Sequence, residues 1–237
     1  LLPTIETSVN EIMKAAWNIT NGAVVPKTED VALKNGGRLV DATYVYADLA
    51  NSSKIAQSLT KEAAATIIRS FVNTATRILR NFGGEIRSFD GDRVMAIYMG
   101  DDKNWNAVRA AFAIKWAVEE VIRPAIKGNW SDGENFYNIG HRVGIDTGES
   151  LIVRGGARNN NDLISIGGAP NIAAKLSDQK TGYSTYITDR VYDQLSDDLL
   201  YLESNGMRRN GWHRLYPAVE VGGTHTTVYG SNTFWGI

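Results

Sequence analysis

The order of elements written in this sequence predicts an α+β domain, an antiparallel sheet with helices packed on it. Three observations predict it. The run "VDATYVYADL" from Val40 is rich in β-branched and aromatic residues and reads as a buried strand. A long apolar stripe of helical period follows it. Two short alternating runs then flank Asp90-Gly91-Asp92, and Asp-Gly between such runs is a strong hairpin signal. Strand, helix, strand, strand, helix, strand is the split βαβ order, with helices expected on one face of the sheet.

Residues 1–20 are expected to form a short amphipathic helix and 21–38 a connector, leaving 39–237 as the main domain. After the first strand, Thr60 can cap a helix with Glu62 in its first turn. The apolar face of that helix runs Ala64, Ile67, Ile68, Phe71, Ala75, Ile78, Leu79, Phe82, and Gly83-Gly84 ends it. "EIRSF" and "RVMAIYM" form the hairpin. A second helix is expected over about 104–127, carrying Val108, Ala111, Phe112, Trp116 and Val121. A second hairpin is expected near 138–153 with "DTGES" as its turn, then a Gly/Asn-rich mobile loop at 154–161. A strand ending near Ile166 and a helix opened by Pro170 follow, and short strands and helices close the chain.

Composition excludes several classes of function. Lys+Arg 25 against Asp+Glu 26 leaves a net charge of −1, without the basic excess of a nucleic-acid scaffold. The absence of cysteine removes disulfides and thiolate metal sites and fits a reducing compartment. No apolar run approaches the roughly 20 residues of a membrane span, and the first residues lack the basic start of a secretory signal. A cytosolic protein is expected, so the N-x-S/T triplets at Asn18, Asn51 and Asn129 carry no glycosylation reading.

Two carboxylates carry the chemistry. Asp48 ends the first strand and Asp92 sits at the hairpin tip; in a split βαβ sheet these neighbours can meet at one edge. Hard cations such as Mg²⁺ take one or two carboxylates plus substrate phosphates, and two such ions can activate an attacking hydroxyl and neutralise a leaving pyrophosphate. "LANSS" after Asp48 offers small residues and backbone N–H groups before a helix, a ready anion site. Alone, an Asp at a strand end reads as a cap and Asp-Gly-Asp as a turn; their combination in this topology is what carries information. His141, His213 and His225 show no ligand spacing, and no phosphate loop of the G-x-x-x-x-G-K-[ST] type is present.

"YVYADLANSS", "SFDGDRVMAIY", "HRVGIDTGES" and "ISIGGAPNIAAKL" resemble, in order, the motifs of class III adenylate/guanylate cyclase catalytic domains, over roughly residues 38–230. The resemblance implies a ferredoxin-like, palm-type fold, two divalent cations (Mn²⁺ or Mg²⁺), and active sites at a homodimer interface. It implies Asp48 and Asp92 as metal ligands, a backbone carbonyl from Leu49, and phosphates wrapped by Ala50, Asn51, Ser52 and Ser53. It implies that Asn171 and Lys175 stabilise the transition state from the other chain. Lys175 stands where the family has Arg, keeping the charge but not the bidentate fork. The six Trp are expected in the core and the dimer interface.

The base-reading positions depart from the family. Ser88 stands where adenylate cyclases carry Lys and guanylate cyclases Glu, and Ile164 stands where adenylate cyclases carry Asp or Thr. The chain resembles instead the pyrimidine cyclases of bacterial anti-phage (Pycsar) systems, which make cyclic UMP or cyclic CMP. Tyr46, on the strand face of Asp48, could fill the space of a purine or simply be a core aromatic. The resemblance implies a second messenger read by a separate effector chain, and no nucleic-acid or membrane partner. UTP and CTP both stay open, with UTP favoured by its frequency in that branch, as do the roles of Arg154, Arg208, Arg209 and Arg214. A purine cyclase and a regulatory domain that only binds nucleotide are the alternatives. "FGGEI" resembles the signature of diguanylate cyclases, but Ile86 and Arg87 stand where their acidic and aromatic residues belong.

Overall fold

Two long strands, β2 (Gly36–Ala50) and β5 (Gly140–Ala157), run antiparallel through the middle of the sheet, in register from Gly37 opposite Val153 to Ala50 opposite Gly140. The computed structural model describes residues 4–130, 138–157, 159–204, 206–216, 219–221 and 224–236. The other strands are β1 (Asn18–Asn21), β3 (Glu85–Asp90), β4 (Arg93–Tyr98), β6 (Asn160–Ile166), β7 (Thr185–Thr188), β8 (Tyr201–Ser204), β9 (Met207–Asn210), β10 (His213–Arg214), β11 (Val219–Val221), β12 (Thr224–Thr226) and β13 (Val228–Ser231). The helices are α1 (Ile5–Lys14), α2 (Ser52–Ser58), α3 (Lys61–Asn81), α4 (Lys103–Ala117), α5 (Arg123–Asn129), α6 (Gly168–Ser177), α7 (Asp189–Tyr192) and α8 (Asp197–Leu200). Among the described residues the main sheet has the order β10-β13-β7-β5-β2-β4-β3, with β1 paired to β2 and β6 to β5.

Successive strand residues face opposite sides, and both sides of β2 are covered. Val45, Ala47 and Leu49 join Phe71, Leu79, Val108 and Phe112 of α3 and α4 in the larger core. Val40, Ala42 and Tyr44 pack with Ala169 and Ala173 of α6 in a second core. Helices therefore lie on both faces, where the split βαβ order suggested one. Gly144 on β5 shows how closely α6 sits: a Cβ there would lie 2.2 Å from the Ala173 carbonyl oxygen. The sheet is mostly antiparallel but mixed, since β5 pairs with β7 in parallel and β1 with β2 likewise.

Four local expectations change. The N-terminal helix stops at Lys14, because the Asn35 side-chain amide donates to the carbonyls of Ile12 (3.1 Å) and Ala15 (2.7 Å), and β1 follows within the stretch expected to be helix. "DTGES" is not a turn. β2 supplies a partner for every residue of it, so β5 runs straight through. Asp146 within it is wholly buried, accepting from the Thr147 N–H and the Thr188 hydroxyl (2.6 Å) and pairing with Arg190. The expected loop at 154–161 is, among the described residues, largely the end of β5 and the start of β6, which pair antiparallel from Leu151 opposite Ile166 to Ala157 opposite Asn160. The second long helix is α4, a π-helical turn at Val118–Ile122, and α5, with Pro124 in the first turn of α5; Pro has no N–H to continue the α-helical ladder. Among the described residues no helix is long and apolar enough to cross a membrane.

Candidate active site

Asp48 lies near the end of β2, with Arg93 of β4 as its partner on one side and Arg142 of β5 on the other. Residues directly opposite in a sheet share a face, so this carboxylate has a guanidinium-bearing neighbour on each adjacent strand. Arg93 Nε is 3.7 Å from Asp48 Oδ1, and its Nη2 is 2.7 Å from Asp178 Oδ1, just past α6. Asp92 comes from the β3–β4 turn, where Gly91 takes φ +61°, a left-handed conformation that favours glycine.

After β2 the chain turns at Asn51, whose φ of 60° and ψ of 29° are left-handed, a conformation Asn tolerates better than most residues. The turn starts α2 at once, a helix absent from the sequence reading, and sets Ser52 and Ser53 beside Asp48. These elements enclose an open cleft of about 920 Å³ whose walls include Asp48, Leu49, Asn51, Ser52, Ser53 and Asp92. Ala50 instead faces a neighbouring cavity with Lys54 and Ile55. The Leu49 side chain is buried in the larger core and anchors the strand end. Sequence reasoning missed the remaining charged walls: Lys54, Asp90, Arg93, Arg142, Asp178 and Lys180. Arg93 and Arg142 could have been found by laying the neighbouring strands in register with Asp48.

The cleft suits a cation. Burial, and then the charge of Asp92, raise the Asp48 carboxyl to about 6, with Arg93 partly offsetting them. Asp92 Oδ2 is buried without a hydrogen-bond partner, an expensive arrangement for a carboxylate oxygen unless a ligand completes it. Among the described residues no cluster of three or more His, Asp or Glu could hold a metal by itself. Two carboxylates are nevertheless a sufficient protein share for Mg²⁺, which completes its shell with substrate phosphates and water.

A second cavity, about 230 Å³, brings together the three positions singled out for base recognition, Tyr46, Ser88 and Ile164. Its floor is Met95, Ile97 and Ile152, and the Tyr46 hydroxyl is raised above its ordinary range, mainly by burial. Arg87 and Asp162 also line it, joined by an ion pair of 3.1 Å. Among the described residues none lines both this cavity and the Asp48 cleft.

Asn171 and Lys175 line neither. α6 turns Ala169, Ile172, Ala173 and Leu176 inward, and Asn171 and Lys175 are exposed one turn apart. Lys175 Nζ donates to the Glu220 carbonyl at 3.4 Å. The other basic candidates have local partners: Arg154 donates to Asn161 (2.7 Å), Arg208 pairs with Asp197 (2.6 Å), and Arg214 donates to Thr227 (3.4 Å). Arg209 is exposed on β9. His141 is buried beside Phe71, and burial lowers it to about 3, so it is a neutral core residue. Trp212 and the partly buried Trp105, Trp116, Trp130 and Trp235 belong to the larger core, whereas Trp17 is 53% exposed.

No family profile matches the chain. It is 46% identical over 192 residues to a uridylate cyclase of Rhodovulum sp. (strain MB263), covering 80% of each chain. It is 36% identical to a uridylate cyclase of Xanthomonas perforans, covering 98% of this chain and 97% of that one. With a uridylate cyclase of Burkholderia cepacia it shares 39% identity over 84% of this chain and 85% of that one. Among solved structures, the adenylyl cyclase CyaB from P. aeruginosa superposes with a TM-score of 0.67 at 19% identity, over 82% of this chain and 95% of that one. The guanylyl cyclase Cya2 gives 0.67 at 17% identity, over 84% and 95%. These last two likenesses establish the fold.

Proposed function

Because the chain belongs to the uridylate cyclase family of class III nucleotidyl cyclases, we propose that it converts UTP to 3′,5′-cyclic UMP and pyrophosphate, with CTP as the competing pyrimidine substrate. One observation carries this reading: the cavity of Tyr46, Ser88 and Ile164 holds none of the family's purine-reading side chains at those positions. A base is selected because the wrong one leaves buried polar groups unpaired; Ser88 and Ile164 leave adenine without its family partners, and the Tyr46 ring takes up room that the second ring of either purine would need.

Catalysis is positioning and charge stabilisation. Two divalent cations, Mn²⁺ or Mg²⁺, supply activation of the ribose 3′-hydroxyl and neutralisation of the leaving pyrophosphate when bound. Asp48, Asp92 and the Leu49 carbonyl would hold them. Asn51, Ser52 and Ser53 present backbone N–H groups and hydroxyls to the phosphates, and Arg142 adds a guanidinium from the adjacent strand. Tyr46 limits the depth of the base cavity. Asn171 and Lys175 stabilise charge developing at the α-phosphate.

The exposure of Asn171 and Lys175, away from the Asp48 cleft, supports a two-fold homodimer. Each site then takes Asp48 and Asp92 from one protomer and Asn171 and Lys175 from its partner, and the symmetry makes two equal sites. We read the protein as cytosolic, and its product as a second messenger of anti-phage defence sensed by a separate effector chain. The test is incubation with UTP and Mn²⁺, followed by mass spectrometry of the product. Cyclic UMP with stoichiometric pyrophosphate is expected. Binding of UTP and CTP without turnover of either would make the chain a nucleotide-binding module.

A further inference from the structure

The cavity that gathers Tyr46, Ser88 and Ile164 also contains a charged pair with no part in the chemistry described so far. Arg87 Nη2 lies 3.1 Å from Asp162 Oδ1, with the Arg87 side chain 18% exposed and that of Asp162 66% exposed. An ion pair so near solvent adds little stability by itself. Its placement is nevertheless tightly determined. The Leu163 N–H donates to the same Asp162 oxygen at 2.7 Å, and the Thr28 hydroxyl approaches it at 3.5 Å. All these contacts use Oδ1.

Arg87 reaches the cavity through an irregularity of β3. Ile86 pairs with Ala96 and Ser88 with Met95, so Arg87 is an extra residue in a β-bulge. In a regular strand, neighbouring residues would face opposite sides of the sheet. The bulge instead lets both Arg87 and Ser88 line the cavity, and re-aiming a side chain is a recurrent use of bulges. On the adjacent strand β5, Gly155 pairs with Asp162, and a Cβ there would meet Ile164 Cδ1 at 2.3 Å. The missing side chain leaves Ile164 room to lie back over β5.

We propose that Arg87 and Asp162 are specificity-determining residues that read the Watson–Crick edge of uracil, an inference that rests on the pyrimidine cyclase reading. A guanidinium is donor-only and an ionised carboxylate acceptor-only, so the pair offers one of each side by side. Uracil presents a carbonyl acceptor at O4 beside the N3–H donor, which complements the pair with Arg87 at O4 and Asp162 at N3–H. Cytosine presents an amine donor and a bare N3 lone pair. In the same register it sets donor against donor and lone pair against carboxylate.

The experiment measures kcat/KM for UTP, CTP and N3-methyl-UTP in the wild-type protein and in Asp162→Asn and Arg87→Gln, with melting temperatures alongside. Wild type is expected to use UTP roughly 10- to 100-fold better than CTP or N3-methyl-UTP, the range of one or two charge-assisted hydrogen bonds. Both variants are expected to melt near wild type and to lose most of that preference. Equal losses for UTP and CTP, with the ratio retained, overturn the proposal and leave the pair as a tie between β3 and β6. Wild-type turnover of N3-methyl-UTP within about threefold of UTP overturns it without any variant. Fastest wild-type turnover of ATP or GTP instead overturns the pyrimidine reading beneath it.

Discussion

The charge of Asp92 helps to hold the carboxyl of Asp48 at about 6, above the ordinary carboxylate range. Burial is the larger cause and the like charge of Asp92 the second, with Arg93 partly offsetting them; a bound cation would oppose both. Since the folded pKa is raised, the stabilising contribution of Asp48 is full below about 4 and is lost as pH rises through about 6. The metal-free protein should therefore gain stability at pH 7–8 on Asp48→Asn, by on the order of 1 kcal/mol after solvent screening, while losing all turnover. Thermal melts at pH 5 and pH 8 check this: the variant should flatten the pH dependence. Mn²⁺ should raise the melting temperature of wild type more at pH 8 than at pH 5, and that of the variant at neither.

A composite site makes a complementation prediction. Asp48→Asn and Lys175→Ala should each be inactive alone as folded homodimers. Mixed and re-equilibrated in equal amounts, half the dimers are mixed and each mixed dimer has one intact site, so activity should return to about one quarter of wild type. No recovery, with subunit exchange shown by differently tagged protomers, would place the whole site in one chain.

On the proposed role of Lys175, Lys175→Arg supplies a planar donor fork able to bind phosphoryl oxygens bidentately. It should keep or raise kcat with little change in KM, whereas Lys175→Met should lower kcat by about two orders of magnitude or more, the range seen when a transition-state donor is removed. Steady-state kinetics with UTP separate the two.

Gly144 is where α6 meets the sheet. Gly144→Ala puts a methyl 2.2 Å from the Ala173 carbonyl oxygen, so α6 must move or the core must open. A loss of roughly 1–3 kcal/mol in urea unfolding is expected, with a larger fall in activity because α6 carries Asn171 and Lys175.

Arg190 pairs with Asp146, which has no exposed side-chain surface. Arg190→Ala should cost on the order of 1 kcal/mol, because Arg190 is half exposed and Asp146 keeps its bonds from the Thr147 N–H and the Thr188 hydroxyl. Chemical denaturation near neutral pH measures it.

Much of this was legible in the sequence because local patterns agreed with tertiary needs. The α3 stripe from Ala64 to Leu79 lies in the core as its period required, and Asp90-Gly91-Asp92 is the β3–β4 turn. Tyr46, Ser88 and Ile164, read from motifs far apart in the chain, line one cavity. What escaped depends on long-range partners. "DTGES" looks like a turn, but the length of β2 pulls it into a strand, and Asp146 turns inward to Thr188 and Arg190. The 154–161 segment has loop composition yet pairs because the end of β5 meets β6. The bulge at Arg87 has no local signature, so the Arg87–Asp162 pair emerged only once β3 and β6 were seen on one cavity.

The most direct test of the central claim is a competition. The wild-type protein is given equimolar ATP, GTP, CTP and UTP with Mn²⁺, and the cyclic products are quantified by mass spectrometry at early times. A pyrimidine cyclase of this construction yields cyclic UMP as the main product and cyclic CMP as the next. Cyclic AMP or cyclic GMP as the main product would contradict the account, because a cavity without purine-reading groups at Ser88 and Ile164 would then be selecting purines.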